Sequence, residues 1–298
     1  MYATSEDYGV CEDLHRKHGT TYYFATKRFP REIQAATHAV YGFVRVPDEW
    51  VDNPGEMSLS DRRGALQDWR NQLRSGVEGV APRHPVMRAF CDTLTKFQIP
   101  LEEALVFLDA MEMDLTISRY ETFDDLLQYT RGSAAAVGVM MLSVLQKDPT
   151  DEQIVAAKHL GDAMQLTNFM RDVAEDTLRN RIYLPLEDLR RYGVTEDDIT
   201  SKRFSNSFSK LMEFQICRTR KLYAAADPGI RSLNPDAKQA VLLARILYSQ
   251  ILEQIEALDY NVFSARARTT KWQKLSALAK VALAPEKVLD ELGARSLA

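Results

Sequence analysis

Turn-forming residues are scarce in this chain. Its 298 residues include only 13 glycines and 11 prolines, against usual shares of about 7% and 5%. Few turns mean few, long elements, and strand signals are almost absent, so the sequence predicts an all-α protein. Cysteine is also sparse. Cys11, Cys91 and Cys217 are far apart and odd in number, which excludes a metal-type cysteine pair and a disulfide framework. A reducing cytoplasm is the expected compartment. There is no excess of positive charge: 38 Lys and Arg against 42 Asp and Glu leave a net −4 with the signs well mixed. That argues against a nucleic-acid partner, which selects a basic face. No hydrophobic run is long enough for a membrane span. The longest, AAAVGVMMLSVL from Ala134 to Leu145, has the length of a buried helix. The opening MYATSEDYGV lacks the basic start and apolar run of a signal peptide. No G-x-G-x-x-G, internal repeat or low-complexity segment occurs.

What is present is a core-forming composition, 45% hydrophobic, arranged with helical periodicity. Helices are expected over 31–46, 60–77, 84–97, 101–118, 123–146 (broken near Gly132), 151–180, 205–225 and 235–263, with short tail helices after 270. The punctuation between them includes Asn53-Pro54-Gly55, Ile99-Pro100, Asp148-Pro149, Asp227-Pro228-Gly229 and Asn234-Pro235. None resembles an interdomain linker, so a single helical domain over 1–298 is expected. Residues 134–146 are apolar nearly all round, which predicts a helix buried on all sides. Gly132, Ser133, Ala134, Ala135, Ala136 and Gly138 leave space along one side of it. Such space serves either close helix packing or an empty apolar channel.

The stretch RVPDEWVDNP, Arg45 to Pro54, contains a contradiction. Pro47 interrupts a helical pattern, and Asp48, Glu49 and Asp52 then crowd the C-terminal end of a helix, where the macrodipole disfavours negative charge. A second acidic run, QLTNFMRDVAEDTLRNRIYLP, spans Gln165 to Pro185. Gln165, Asn168, Asp172 and Asp176 advance by about 1100° of helical rotation, returning within roughly 20° of their start. They form one polar stripe ending in a carboxylate pair. Tyr41, Arg45, Asp48 and Asp52 repeat this pattern if the helix survives Pro47. A lone D-x-x-x-D is most often a solvated helix face. Two such pairs, each extended by other polar groups, point instead to cations that offset the charge. Oxygen ligands without His or Cys suit Mg²⁺ or Mn²⁺, and Mg²⁺ binds through a few carboxylates plus substrate phosphates. Arg171, Arg179 and Arg181 read either as surface partners or as diphosphate contacts. Glu121, Asp124 and Asp125, and likewise Glu196 to Asp198, read as ordinary helix starts.

Two Asp-rich helices in an all-helical chain resemble the class I isoprenoid synthases, and the details resemble the squalene/phytoene synthase family. GDAMQLTNFMRDVAEDTLRNRIYLP (161–185) looks like its most distinctive signature. DEWVD (48–52) stands where the family has an Asp-rich motif. MDLTISRYETFDDLLQYTRGSAAAVG (113–138) is similar to the central motif of the phytoene branch. DYNVFSARAR (259–268) is similar to the C-terminal diphosphate-facing segment. The chain departs from the pattern at Glu49, at Pro47, at Ala265 and at Thr20, where a basic residue is common.

The resemblance implies an isoprenoid-synthase bundle around a central apolar channel. It further implies head-to-head condensation of two geranylgeranyl diphosphates, through a cyclopropyl diphosphate, to phytoene. On this carry-over Asp48, Asp52, Asn168, Asp172 and Asp176 hold Mg²⁺ or Mn²⁺. Thr21, Tyr22, Arg45, Gln165, Arg171 and Arg266 meet substrate, with Arg268 the alternative to Arg266. Tyr41, Tyr129 and Tyr248 serve catalysis, and Tyr183 stands open between core and cation-facing roles. A small Thr26, about one turn beyond Tyr22, would admit a C20 tail. No NADPH is expected. Prenyl diphosphates are the expected partners, with peripheral membrane contact and a monomer or homodimer. The tail TTKWQKLSALAKVALAPEK can lie on a bilayer or pack on the bundle. Alternatives are a squalene or dehydrosqualene synthase acting on farnesyl diphosphate, a terpene cyclase, and an inactive homologue serving as a scaffold.

Overall fold

The computed structural model describes residues 2–296, with Thr21 and 293–296 described by backbone alone. Its helices are α1 (Ser5–His18), α2 (Thr20–Thr26), α3 (Arg31–Asp52), α4 (Leu59–Val77), α5 (Pro85–Lys96), α6 (Leu101–Met113), α7 (Phe123–Thr130), α8 (Ala136–Leu145), α9 (Asp151–Arg171), α10 (Val173–Asp176), α11 (Leu186–Tyr192), α12 (Glu196–Thr200), α13 (Asn206–Ser232), α14 (Pro235–Ala257), α15 (Lys271–Leu283) and α16 (Pro285–Ser296). A π-type turn, Arg131–Ala135, joins α7 to α8 near the expected break at Gly132. Among the described residues β-pairing is confined to one isolated bridge, Arg119 with Ile182. No described helix is long and apolar enough to cross a membrane.

Local chemistry explains many of the boundaries. Thr4, Ser58, Thr122, Thr150, Thr195 and Thr270 each open a helix with a capping box, the hydroxyl accepting from a backbone N–H three residues on. Each cap satisfies orphan N–H groups and contributes about 1 kcal/mol. The acids at 124–125 and 196–198 are helix starts of this kind.

The structure corrects several boundaries. Helices α1 and α2 lie where none was expected, because α1 has a weak apolar stripe and is held by its cap and by packing on α3 and α5. The helix expected over 31–46 runs through Pro47 to Asp52. Pro228, expected in a loop, lies inside α13. Tertiary contacts override the breaker there. Gly229 brings α13 so close to α9 that a Cβ would fall 2.1 Å from the Ala156 methyl. Neighbouring Asp227 is buried in a two-pronged ion pair with Arg245, at 2.8 and 3.0 Å. The helix expected over 151–180 is divided at Asp172, whose φ of −103° and ψ of 13° end α9. The helices expected to reach 118 and 263 stop at Met113 and Ala257.

The core centres on Phe43, which stacks on Phe90 with centroids 3.9 Å apart and is flanked by Trp69 and Phe107. Helix α8 sits inside the bundle but is not sealed on all sides, because Val137 and Gly138 are half-buried. Both readings of its small residues apply. A Cβ on Gly138 would lie 2.4 Å from the Ala157 carbonyl oxygen, and one on Gly161 would lie 2.6 Å from that of Ala134. The two helices therefore touch backbone to backbone, while Ser133, Ala134 and Gly138 also border a cavity.

Gly161→Val should cost about 1–3 kcal/mol through overpacking. Gly9→Ala, at an exposed position of α1 with nothing within 4 Å, should stabilise by up to about 1 kcal/mol. Urea denaturation of the two variants measures both.

Candidate active site

Two cavities meet inside the bundle. The first is an apolar channel of about 280 Å³, lined by Tyr22, Ala25 and Phe29, by Val40, Tyr41 and Val44 of α3, by Val137, Gly138, Met141 and Leu145 of α8, and by residues of α9, α13 and α14. The second is a polar cleft of about 730 Å³. It carries the carboxylates Asp48, Asp52, Asp114, Asp172, Glu175 and Asp176, with Arg45, Arg171, Arg179, Arg181, Arg266, Arg268 and Lys274 among them. Tyr22, Gln165, Asn168 and Tyr248 line both cavities, so they form the boundary. The expectation for Thr26 is corrected. It is fully buried away from the channel and donates its hydroxyl to the Tyr22 carbonyl at 3.0 Å. Ala25 and Phe29 border the channel instead.

Helix α3 changes character along its length. Val40, Tyr41 and Val44 face the channel, and Arg45, Asp48 and Asp52 face the cleft. Continuity through Pro47 keeps both sets on one rod. Arg45 pairs with Asp48 and Glu49, so Glu49 turns toward this arginine. Arg181 pairs with Asp52 and donates to the Asp114 carbonyl oxygen at 3.1 Å. At 8% exposure Arg181 is no surface partner. The second carboxylate set lies across the bend that ends α9. The Asp176 N–H still donates to the Asp172 carbonyl at 2.9 Å, so the one-turn spacing of the two acids survives. Arg171 and Arg266 converge on Asp172, their Nε atoms donating to Oδ1 at 2.7 and 2.8 Å. Arg268 also lines the cleft.

Asp114 escaped sequence reasoning. It caps α6 as a single acid with no repeating pattern to mark it. The structure makes it a hub: Tyr129 donates to it at 2.5 Å and Tyr183 at 3.2 Å. These tyrosines stack with Phe169 along one wall. Tyr41 is held from behind by His15, whose ring stacks on it with centroids 4.1 Å apart. His15 and His38 share a hydrogen bond between Nδ1 atoms at 2.9 Å. Burial pushes their pKa values down to about 3 and 4, so the pair is neutral. Burial raises the pKa values of Tyr22, Tyr41, Tyr129 and Tyr248, which keeps their hydroxyls protonated. The side chain of Thr21 lies outside the described residues.

Three of the carboxylates are raised, chiefly by burial. Asp48 is pushed up to about 7 by burial and by Asp52. Asp176 is pushed up to about 8 by burial and by Asp172. Asp114 rises to about 6, chiefly through burial, against the opposing pull of Arg181. The buried Oδ1 of Asn168 accepts no hydrogen bond. Among the described residues no three His, Cys, Asp or Glu side chains close into a protein-only metal cage. A cleft of clustered carboxylate oxygens with an orphan amide acceptor fits a hard divalent cation that completes its shell with water and phosphate.

The family model for squalene/phytoene synthase matches residues 15–273. A phytoene synthase from Arthrospira platensis is 38% identical over 286 residues, covering 92% of each chain. Phytoene synthase 2 of Oryza sativa subsp. japonica, a chloroplastic protein, is 36% identical over 91% of this chain and 69% of its own. Among solved structures, a dehydrosqualene synthase in complex with ligand superposes with a TM-score of 0.87 at 29% identity, covering 95% of this chain and 97% of that one. The chain belongs to the squalene/phytoene synthase family.

A carboxyl whose folded pKa is raised holds a proton that the unfolded chain has released. Its stability contribution is therefore complete below pH 3.8 and is lost as pH rises toward about 8 for Asp176. Asp176→Asn should stabilise the ligand-free protein by about 1–2 kcal/mol at pH 8.5, with the gain vanishing near pH 4. Denaturation at the two pH values checks the sign.

Proposed function

We propose that this prenyltransferase joins two geranylgeranyl diphosphates head to head, through a cyclopropyl diphosphate (prephytoene diphosphate), to phytoene with release of diphosphate. The observation that carries the reading is the continuous passage from apolar channel to charged cleft across Tyr22, Gln165, Asn168 and Tyr248. A prenyl diphosphate has the same two-part chemistry. The relatives named phytoene synthase support the product.

The chain's own residues set the conditions for reaction. The channel wall of α3, α8 and α9 keeps a prenyl tail, and any allylic cation formed from it, away from water. Arg45, Arg171, Arg266 and Arg268 line the cleft and would hold diphosphate oxygens. Thr20 borders the same cleft where a basic side chain is common, and Arg268 and Lys274 add positive charge there. Tyr41 and Tyr248 turn aromatic surface toward the passage, where ring faces stabilise cationic charge. Tyr129 lines the cleft with its hydroxyl fixed on Asp114. Asp48, Asp52, Asn168, Asp172 and Asp176 would hold Mg²⁺ or Mn²⁺, which neutralises charge on the departing diphosphate. The proposed reaction needs no reductant.

Incubation with Mg²⁺ and geranylgeranyl diphosphate, without NADPH, should yield a C40 triene identified by mass spectrometry. Asp172→Asn should lower turnover by about a hundredfold or more while leaving the fold intact. Product from farnesyl diphosphate alone would instead select the C15 reading, toward which the dehydrosqualene synthase likeness leans. No product from either substrate would favour the scaffold.

A further inference from the structure

Helix α15 presents an unusual outward face. Its start is pinned by the capping box of Thr270 with Gln273. Ala277 and Val281 are buried beneath it, and Lys274 lines the polar cleft. On the opposite side Trp272, Leu275 and Leu283 are 81%, 51% and 85% exposed. With exposed Ala279 between them, these residues fall within about 80° of one another around the helix axis. A solvent-facing helix surface is normally polar. This one is apolar, with exposed Lys271 on one flank and exposed Lys280 on the other. The sequence KWQKLSALAKVAL contains no acidic residue.

We propose that this face of α15 docks on an anionic lipid surface, with Trp272, Leu275 and Leu283 inserted at the headgroup boundary and Lys271 and Lys280 on lipid phosphates. An apolar stripe flanked by lysines, with an aromatic at one end, matches the chemistry of a bilayer interface. The lysines favour a negatively charged surface over a neutral one. The benefit rests on the proposed reaction, whose prenyl tails and hydrocarbon product are poorly soluble in water. Docking here places the membrane against the helix whose other side carries Lys274 into the cleft.

The test is binding, independent of turnover. The purified full chain is sedimented with vesicles of phosphatidylcholine alone and with vesicles containing one third phosphatidylglycerol. The protein should bind the anionic vesicles and leave them in high salt, and Trp272 emission should shift to the blue. Trp272→Phe should still bind but lose the shift. Combining Trp272→Ser, Leu275→Ser and Leu283→Ser should weaken binding by about tenfold or more with an unchanged melting temperature. Combining Lys271→Glu with Lys280→Glu should abolish the preference for anionic vesicles. The proposal is overturned if the parent protein ignores both vesicle types, or if the triple-serine variant binds as the parent does. It is equally overturned if that variant converts a solution dimer to a monomer, which would make the stripe a contact between copies. Loss of binding with turnover retained on detergent-dispersed substrate separates this proposal from the reading of the reaction.

Discussion

Carboxylates held close together in a partly buried cleft repel one another, and the rest of this structure is arranged around that repulsion. Asp48 and Asp52 stand one turn apart at the negative end of α3, and Asp176 of the second set also feels Asp52. Every ion pair that Arg45, Arg181, Arg171 and Arg266 make goes to an acid of this cleft or to the neighbouring Glu49. Burial first, and the neighbouring carboxylate second, still raise Asp48 and Asp176 to about 7 and 8. Positive charge beside these two acids of the cleft offsets that cost. The cleft's arginines, already bonded to carboxylate oxygens, present the donor geometry that phosphate oxygens accept.

The same two helices that carry the charge also build the apolar passage. On α3 the change from channel to cleft falls between Val44 and Arg45. On α9 it falls at Gln165 and Asn168, after Leu160, Gly161 and Met164. A charged head and an apolar tail are thus met by successive turns of the same two helices. This accounts for two local departures from helix rules. Pro47 is tolerated because the turn beyond it is held by Arg45 and Arg181, and α9 bends at Asp172 without losing the backbone bond to Asp176.

Much of this was legible in the chain itself. Scarce glycine and proline predicted long helices. The spacing of Gln165, Asn168, Asp172 and Asp176 predicted a shared polar stripe, and all four line the cleft. Capping signals marked the acids at 124–125 and 196–198 as helix starts. Periodicity and capping are local physics, so local sequence determines them. What the tertiary structure alone decided depends on contacts between distant segments. Pro47 and Pro228 read as breakers until neighbouring helices and ion pairs held them in place. Asp114 had no pattern of its own, and only folding gathered Tyr129, Tyr183 and Arg181 around it. Thr26 and Ala25 are adjacent in sequence, yet packing turned one into the core and the other to the channel. The outward rotation of Trp272 and the inward rotation of Lys274 were settled in the same way, since a helical pattern specifies which residues share a face but not which face the rest of the bundle covers.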